Sequence, residues 1–337
     1  MDIVVKSFNR PYYLDRCLYS IYKQVADFNG KIIILDDGTP QSYLDKITQK
    51  YPDVIVKKSP FYNEKVASID QGIQPKEYVV PIDLWANVVN EVSDYFLLIE
   101  DDTWFVDTVE LEKIRNEMIQ NQTVITKLYW LGNDKLKQNK EVKKTAHLEL
   151  LTPNLFTENP TLYNFIFRKD YLKWHRRILA KLRIYTFERH MAYYTIYAVA
   201  GTVLRKDYYA QLWNNHSNKV QETLQILNAL KFYKQNKGKI TFASSTKELL
   251  RTGFQSAATN QHKEHYEGKI DMFQFNKVIN DAWLNNQLDV YRDLPLDISA
   301  NEIAKILDEN SEIDSNQWVS WVTSFKNQYT SIGCIID

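Results

Sequence analysis

Four short apolar runs set the constraint on this chain. DIVVKSF, GKIIILDDG, DVIVKKS and DYFLLIEDD follow one another within the first 102 residues, and segments with helical spacing lie between them. A continuous apolar run, as opposed to strict alternation, marks a strand buried on both faces. Such strands separated by helices predict a parallel sheet of an α/β fold. In RPYYLDRCLYSIYKQV, apolar residues at Tyr12, Leu14, Leu18, Ile21 and Tyr22 fit a helix, with Pro11 suited to its first turn. SYLDKITQKY, EKVASIDQGI and IDLWANVVNEV supply further helical turns. In sheets of this kind, ligands sit beyond the carboxyl ends of the strands. Polar residues stand at those ends here. Ser7, Asn9 and Arg10 follow the first run, Asp36, Asp37 and Gly38 end the second, and Glu100, Asp101 and Asp102 end the fourth.

Three adjacent carboxylates at the end of a buried strand repel one another, and removing an ionised group from water costs several kcal/mol unless it is paired. A divalent cation resolves the conflict. Hard oxygen ligands suit Mg²⁺ or Mn²⁺, ions that usually also hold substrate phosphates. Strand alternation places Glu100 and Asp102 on one face and Asp101 on the other. The competing expectation is an acidic turn that caps a helix starting near Thr103.

Taken in order, IVVKSFNRPYYLDRCLYSI, KIIILDDGT, NEKVASIDQGI and YFLLIEDDTWF resemble the successive N-terminal motifs of family 2-like glycosyltransferases with the GT-A fold. The resemblance is good over residues 1–106, patchy over 107–260 and absent beyond. It implies a mostly parallel central sheet flanked by helices, with a mainly helical C-terminal extension. It divides the chain into a glycosyltransferase domain over 1–260, with a nucleotide-binding half (1–106) and an acceptor half (107–260), and the extension over 261–337. It also implies that Ser7, Asn9 and Arg10 line a nucleotide pocket and that Asp36 or Asp37 contacts base or ribose. Lys65 and Asp70 match donor-side positions, although Glu64 stands where a glycine is usual. EDD matches the D-x-D motif, making Asp102 the ligand of Mn²⁺ or Mg²⁺ and Glu100 and Asp101 donor-site residues. The implied activity is transfer of a sugar, with inversion at its anomeric carbon, from a nucleoside-diphosphate donor (UDP the commonest) to a saccharide or lipid-linked acceptor in surface polysaccharide synthesis. In the inverting form a carboxylate deprotonates the acceptor. Glu222 matches that position, with Thr223 where a second acid is usual, and Glu188 is its rival. Thr252 stands where relatives often carry a metal-binding histidine, so the resemblance implies either a metal with fewer protein ligands or one that His262 or His265 reaches.

The remaining composition narrows the partners. Lys plus Arg equals Asp plus Glu at 42 each, so no general nucleic-acid partner is implied. Two cysteines, Cys17 and Cys334, make neither a disulfide framework nor a zinc site. No apolar stretch is long enough for a signal or a bilayer span, which predicts a cytoplasmic location. Residues 167–190 carry eight Lys or Arg against two acids, interleaved with large apolar side chains. They read as a basic amphipathic helix that contacts the inner leaflet of a membrane, or as a solvated face. Two other functions share the expected sheet. A sugar nucleotidyltransferase needs a glycine-rich loop after the first strand, and KSFNRPYY has no glycine. A non-catalytic binding protein on the same fold is the second.

Overall fold

The computed structural model describes residues 1–76, 79–137, 139–172, 174–216, 219–260 and 269–336. Its strands are β1 (Asp2–Ser7), β2 (Ile32–Asp36), β3 (Val54–Lys58), β4 (Tyr95–Glu100), β5 (Thr103–Phe105), β6 (Thr123–Lys127), β7 (Asn139–Lys144), β8 (Leu148–Pro153), β9 (Thr202–Arg205), β10 (Thr241–Ser245) and β11 (Leu250–Thr252). The chain forms two compact units. The terminal unit comprises Ile3–Trp85, Ile99–Val109 and Leu249–Asp337; the middle unit comprises Met1–Asp2, Ala86–Leu98 and Glu110–Glu248. The C-terminal segment therefore shares a unit with the first three strands.

In the terminal unit, β1, β2 and β3 pair in parallel, with Ser7 opposite Asp36 and Asp36 opposite Lys58. The IIILD run of β2 is buried throughout, as its unbroken apolar character predicts. The helix Pro11–Gln24 begins with Pro at its first turn and buries Tyr12, Tyr13, Leu14, Cys17, Leu18 and Ile21. Tyr22, expected on that stripe, is instead exposed and stacks on Tyr51. After the acids of β4 the chain turns into β5, which pairs antiparallel with β11.

Helices Met272–Leu284, Ala300–Asn310 and Ser315–Thr330 complete this unit. Their tryptophans are core residues, with Trp283, Trp318 and Trp321 at 0 to 2% exposure. Bonds from this segment hold the first helix. Trp283 Nε1 donates to Asp15 at 2.9 Å, Tyr13 Oη donates to Asp297 at 2.9 Å, and the Arg16 guanidinium donates to the carbonyls of Val290 and Leu296. Arg16 is fully buried over the ring of Trp104, 4.3 Å from its centroid. A buried guanidinium so placed is tolerated because its donors meet carbonyl oxygens and its flat face meets an aromatic one.

In the middle unit, β4 pairs antiparallel with β9 and β9 with β6; β6 and β10 run parallel; β8 and β7 add antiparallel strands beyond β10. Helices Leu111–Gln120, Lys206–Leu212 and Glu222–Gln235 accompany them. The α/β class and the flanking helices agree with expectation. The basic stretch does not form one amphipathic helix. It is broken into the end of a π-helix at Asn164–Arg168, a helix at His175–Lys181 and another at Phe187–Met191. Arg183 takes a left-handed φ of 54°, which stops the central helix. No described helix is long and apolar enough to cross a membrane.

Candidate donor site

Strand ends bring one group of polar side chains together in the terminal unit. Ser7, Asn9, Arg10, Asp36, Asp37, Lys65 and Asp101 are all buried. Parallel pairing fixes the first of them, since Ser7 and Asp36 lie in register and the Asp37 N–H donates to the Ser7 carbonyl at 3.1 Å. Asp36 Oδ1 accepts the N–H groups of Gly38 and Thr39 at 3.0 and 2.9 Å, closing the turn after β2. Gly38 permits this turn, with φ at 142° and room for no Cβ beyond contact with Ile69 and Lys65 at 3.0 Å. Asn9 also takes a left-handed φ, 55°, which asparagine tolerates better than most residues.

The acids meet cations from the same chain. Arg10 bonds both Asp101 and Asp102, the latter at 2.8 Å, while Lys6 pairs with Glu100 at 2.9 Å. Lys65 donates to Asp37 at 2.6 Å and to the Val79 carbonyl at 2.6 Å. Residues 101 and 102 already lie in a turn, so the strand alternation expected for EDD ends at Glu100 and both aspartates grip one guanidinium. Beyond them the chain continues as β5, which removes the helix-capping alternative. Asp101 also accepts the Phe8 N–H at 3.0 Å, and Asp102 gives its carbonyl to Gly253 at 2.8 Å.

The pairing is incomplete. Five carboxylates (Asp36, Asp37, Glu100, Asp101, Asp102) face three cations (Lys6, Arg10, Lys65), a deficit of two positive charges when all are ionised. Burial raises Asp36 to about 6 and Asp101 to about 7, the second despite the pull of Arg10. Burial likewise raises Asp37 and Asp102, whereas Lys6 lowers Glu100. Burial lowers Arg10, but Asp101 and then Asp102 more than offset it, so the guanidinium stays protonated. Among the described residues, five buried polar atoms of this group also lack a hydrogen-bond partner: Ser7 Oγ, Asn9 Nδ2, Arg10 Nε, Asp36 Oδ2 and Asp37 Oδ1. Buried polar groups in folded proteins are ordinarily satisfied, so a cluster of unsatisfied ones at strand ends marks a place for a polar ligand.

A divalent ion was expected on Asp102. Among the described residues, no three carboxylate, histidine or cysteine side chains converge as a complete cage. Asp101 is fully committed, but the Asp102 side chain is 16% exposed and Arg10 bonds only its Oδ2. Mg²⁺ and Mn²⁺ sites often take one or two carboxylates and fill the rest with waters and substrate phosphates. Asp102 fits such a sparse site. His262 and His265 lie outside the described residues.

Other expected residues fall elsewhere. Asp70 is exposed at the end of the helix Tyr62–Asp70, away from the buried group. Glu222 opens the helix Glu222–Gln235 in the middle unit and accepts a bond from Tyr194 Oη. Glu188 is exposed in the first turn of Phe187–Met191. An open groove of about 660 Å³, lined by Gln71, Asp271, Gln274, Lys277 and Glu312 among others, includes none of the strand-end residues.

Asn280 was not anticipated. It is fully buried, its Nδ2 donates to the Asn9 carbonyl and Oδ1 at 3.2 Å each, and its own Oδ1 has no partner. The legible signal was a pair of asparagines, Asn276 and Asn280, four residues apart on a helix face otherwise apolar.

Residues 2–75 match the family model described as glycosyl transferase family 2. The matched segment carries β1, β2 and β3 and the polar groups at their ends, except for the three acids of β4. No curated protein matches the chain. Similar solved structures include the mannosyltransferase PcManGT from Pyrobaculum calidifontis in complex with GDP-Man and Mn²⁺, at 10% identity and a TM-score of 0.28. That similarity covers 38% of this chain and 34% of that one, so the chain spans about a third of its length. S. aureus TarS 1-349 is similar at 10% identity over 98% of this chain and 91% of that one, with a TM-score of 0.33. Glucosyl-3-phosphoglycerate synthase from Mycobacterium tuberculosis, in complex with Mn²⁺, UDP-glucose and phosphoglyceric acid, is similar at 11% identity over 71% and 67%, with a TM-score of 0.34.

Proposed function

We propose that this chain is a glycosyltransferase that takes its sugar from a nucleoside-diphosphate donor, a UDP-sugar in the first instance. The observation that carries the reading is the set of unsatisfied buried atoms at the ends of β1 and β2, within the segment that matches the family. Asp36 and Asp37 accept hydrogen bonds from base or ribose, Ser7 and Asn9 contact the nucleotide, and Arg10 and Lys65 place fixed positive charge beside it. Asp102 holds Mn²⁺ or Mg²⁺, and a bound ion of that kind neutralises the charge of a diphosphate leaving group. Glu100 and Asp101 set the charge around it through Lys6 and Arg10. Arg10 clamps the two aspartates in place, a positioning role as much as a binding one.

On the acceptor side, Glu222 is the proposed general base of an inverting transfer, with Glu188 second. Tyr194 orients the Glu222 carboxylate. The acceptor is a saccharide or a lipid-linked saccharide of surface polysaccharide synthesis, handled in the cytoplasm. The second reading, a nucleotide-binding protein without turnover, draws on the occupation of Asp102 by Arg10 in this structure.

Calorimetric titration of UDP, GDP and CMP, each with and without Mn²⁺, tests the donor site on wild type and on Asp102→Ala. Metal-dependent binding of one nucleotide that is lost in the variant supports the reading. Absence of binding by all three refutes it. Binding without release of sugar from any donor moves the protein to the second reading.

A further inference from the structure

The middle unit carries an apolar surface that its own packing leaves uncovered. Around the helix His175–Lys181, Tyr171 is 56% exposed, Leu172 52%, Trp174 54%, Ile178 41% and Leu182 63%. Helical geometry gathers them. Trp174, Ile178 and Leu182 are spaced four apart, and the buried His175 and Leu179 turn the other way. Phe165, 40% exposed, extends the patch by stacking on Tyr171 with centroids 5.6 Å apart. Monomeric soluble surfaces rarely group this many large apolar side chains without a partner.

Charge narrows the choice of partner. Lys169, Arg177, Lys181 and Arg183 are exposed among these apolar residues, and none makes an ion pair among the described residues. Arg177 and Lys181 border the Trp174–Ile178–Leu182 stripe on the same helix. Asp170 is the one acid within residues 165–183, and it lies 3.6 Å from His175. Arg176 is committed elsewhere, donating to the Arg168 carbonyl at 2.8 Å. A protein partner of ordinary composition would meet this surface with mixed charge, and a second copy would bring like charges together. Apolar side chains that include Trp and Tyr, fringed by free Lys and Arg, fit the interface of a bilayer with anionic headgroups.

We infer that this face, residues 165–172 and 174–183, docks the protein on the surface of a membrane that contains anionic phospholipid. Trp174, Ile178 and Leu182 enter the headgroup boundary, while Arg177, Lys181, Lys169 and Arg183 meet phosphate oxygens. This inference is independent of the sugar-transfer reading and needs no nucleotide for its test.

The test is co-sedimentation of the full chain with vesicles of phosphatidylcholine alone and of phosphatidylcholine mixed with phosphatidylglycerol. Wild type is expected to sediment with the mixed vesicles and to be released by salt. Each Lys or Arg near an anionic surface contributes roughly fivefold in affinity, so the double reversal Arg177→Glu, Lys181→Glu weakens binding by at least roughly 25-fold. The triple variant Trp174→Ser, Ile178→Ser, Leu182→Ser abolishes it even at low salt. All five side chains are exposed, and an unchanged circular dichroism melt shows that the variants fold. Failure of wild type to bind mixed vesicles overturns the inference, as does binding that both variants retain. A wild-type dimer in sedimentation velocity that the triple variant dissociates, without vesicle binding, assigns the face to contact between copies and also overturns it.

Discussion

Replacing Arg10 by Met removes the one side chain that neutralises both Asp101 and Asp102. Asp101 is 1% exposed and has no second cation among the described residues, so the variant leaves an uncompensated buried carboxylate. Breaking a buried pair in this way costs about 3–5 kcal/mol. The cost depends on pH with a definite sign. In wild type, burial raises Asp101 to about 7, above its unfolded value of 3.8. The native state therefore binds more protons than the unfolded state between those values, and stability falls as pH rises through that window. Above about pH 7 the wild-type carboxyl is ionised against Arg10 and its stability curve flattens. Without Arg10 the carboxyl stays protonated to higher pH, and stability continues to fall by about 1.4 kcal/mol per pH unit. Equilibrium urea unfolding of both proteins from about pH 6 to about pH 9 reads this directly. The two curves should run parallel at the acid end and diverge at the alkaline end. Parallel curves throughout would show that solvent, and not Arg10, satisfies Asp101, and would refute the account of the site as a closed charge network.

Lys65→Met leaves the buried Asp37 without its partner and should cost about 3–5 kcal/mol in urea unfolding, together with loss of nucleotide binding; a loss below about 1 kcal/mol would show Asp37 to be solvated. Gly253→Ala should cost at least about 3 kcal/mol, because the added Cβ would stand 2.4 Å from the ring of Tyr13 and would dislodge Tyr13 from Asp297 and from Trp104; a melting temperature equal to wild type would refute this packing. Glu222→Gln should lower kcat by about 10²–10⁴-fold with donor binding unchanged in calorimetry; full activity in that variant would move the proposed base to Glu188.

The strand ends were legible because their physics is local. Apolar runs that stop at Ser7, Asp36 and Glu100 announce both a buried strand and the polar edge of its sheet, and the structure buries those runs as expected. Which charge meets which was not legible. Arg10 and Asp102 are 92 residues apart, and nothing in either neighbourhood names the other. The same holds for Asn280, whose partner Asn9 is 271 residues away. The basic stretch was misread for a different reason. Its charge and apolar content suggested one long helix, but a left-handed residue at Arg183 and an extended Lys169 after the π-helix Asn164–Arg168 cut it short. The exposed apolar surface survived that break because about two turns at Trp174–Leu182 suffice to align it.

The bonds that hold the first helix have a consequence for how the protein is made. Asp15, Tyr13 and Arg16 find their partners 268 to 284 residues later in the chain. Contacts of such long range are slow to form, since a large loop must close before they contribute. At synthesis rates of about 5–20 residues per second, the first helix emerges from the ribosome and then waits roughly ten seconds to a minute for Trp283 and Asp297. Through that interval Tyr13, Asp15 and the guanidinium of Arg16 lack these partners. The first helix therefore gains these contacts only once the segment around Trp283 and Asp297 has been made.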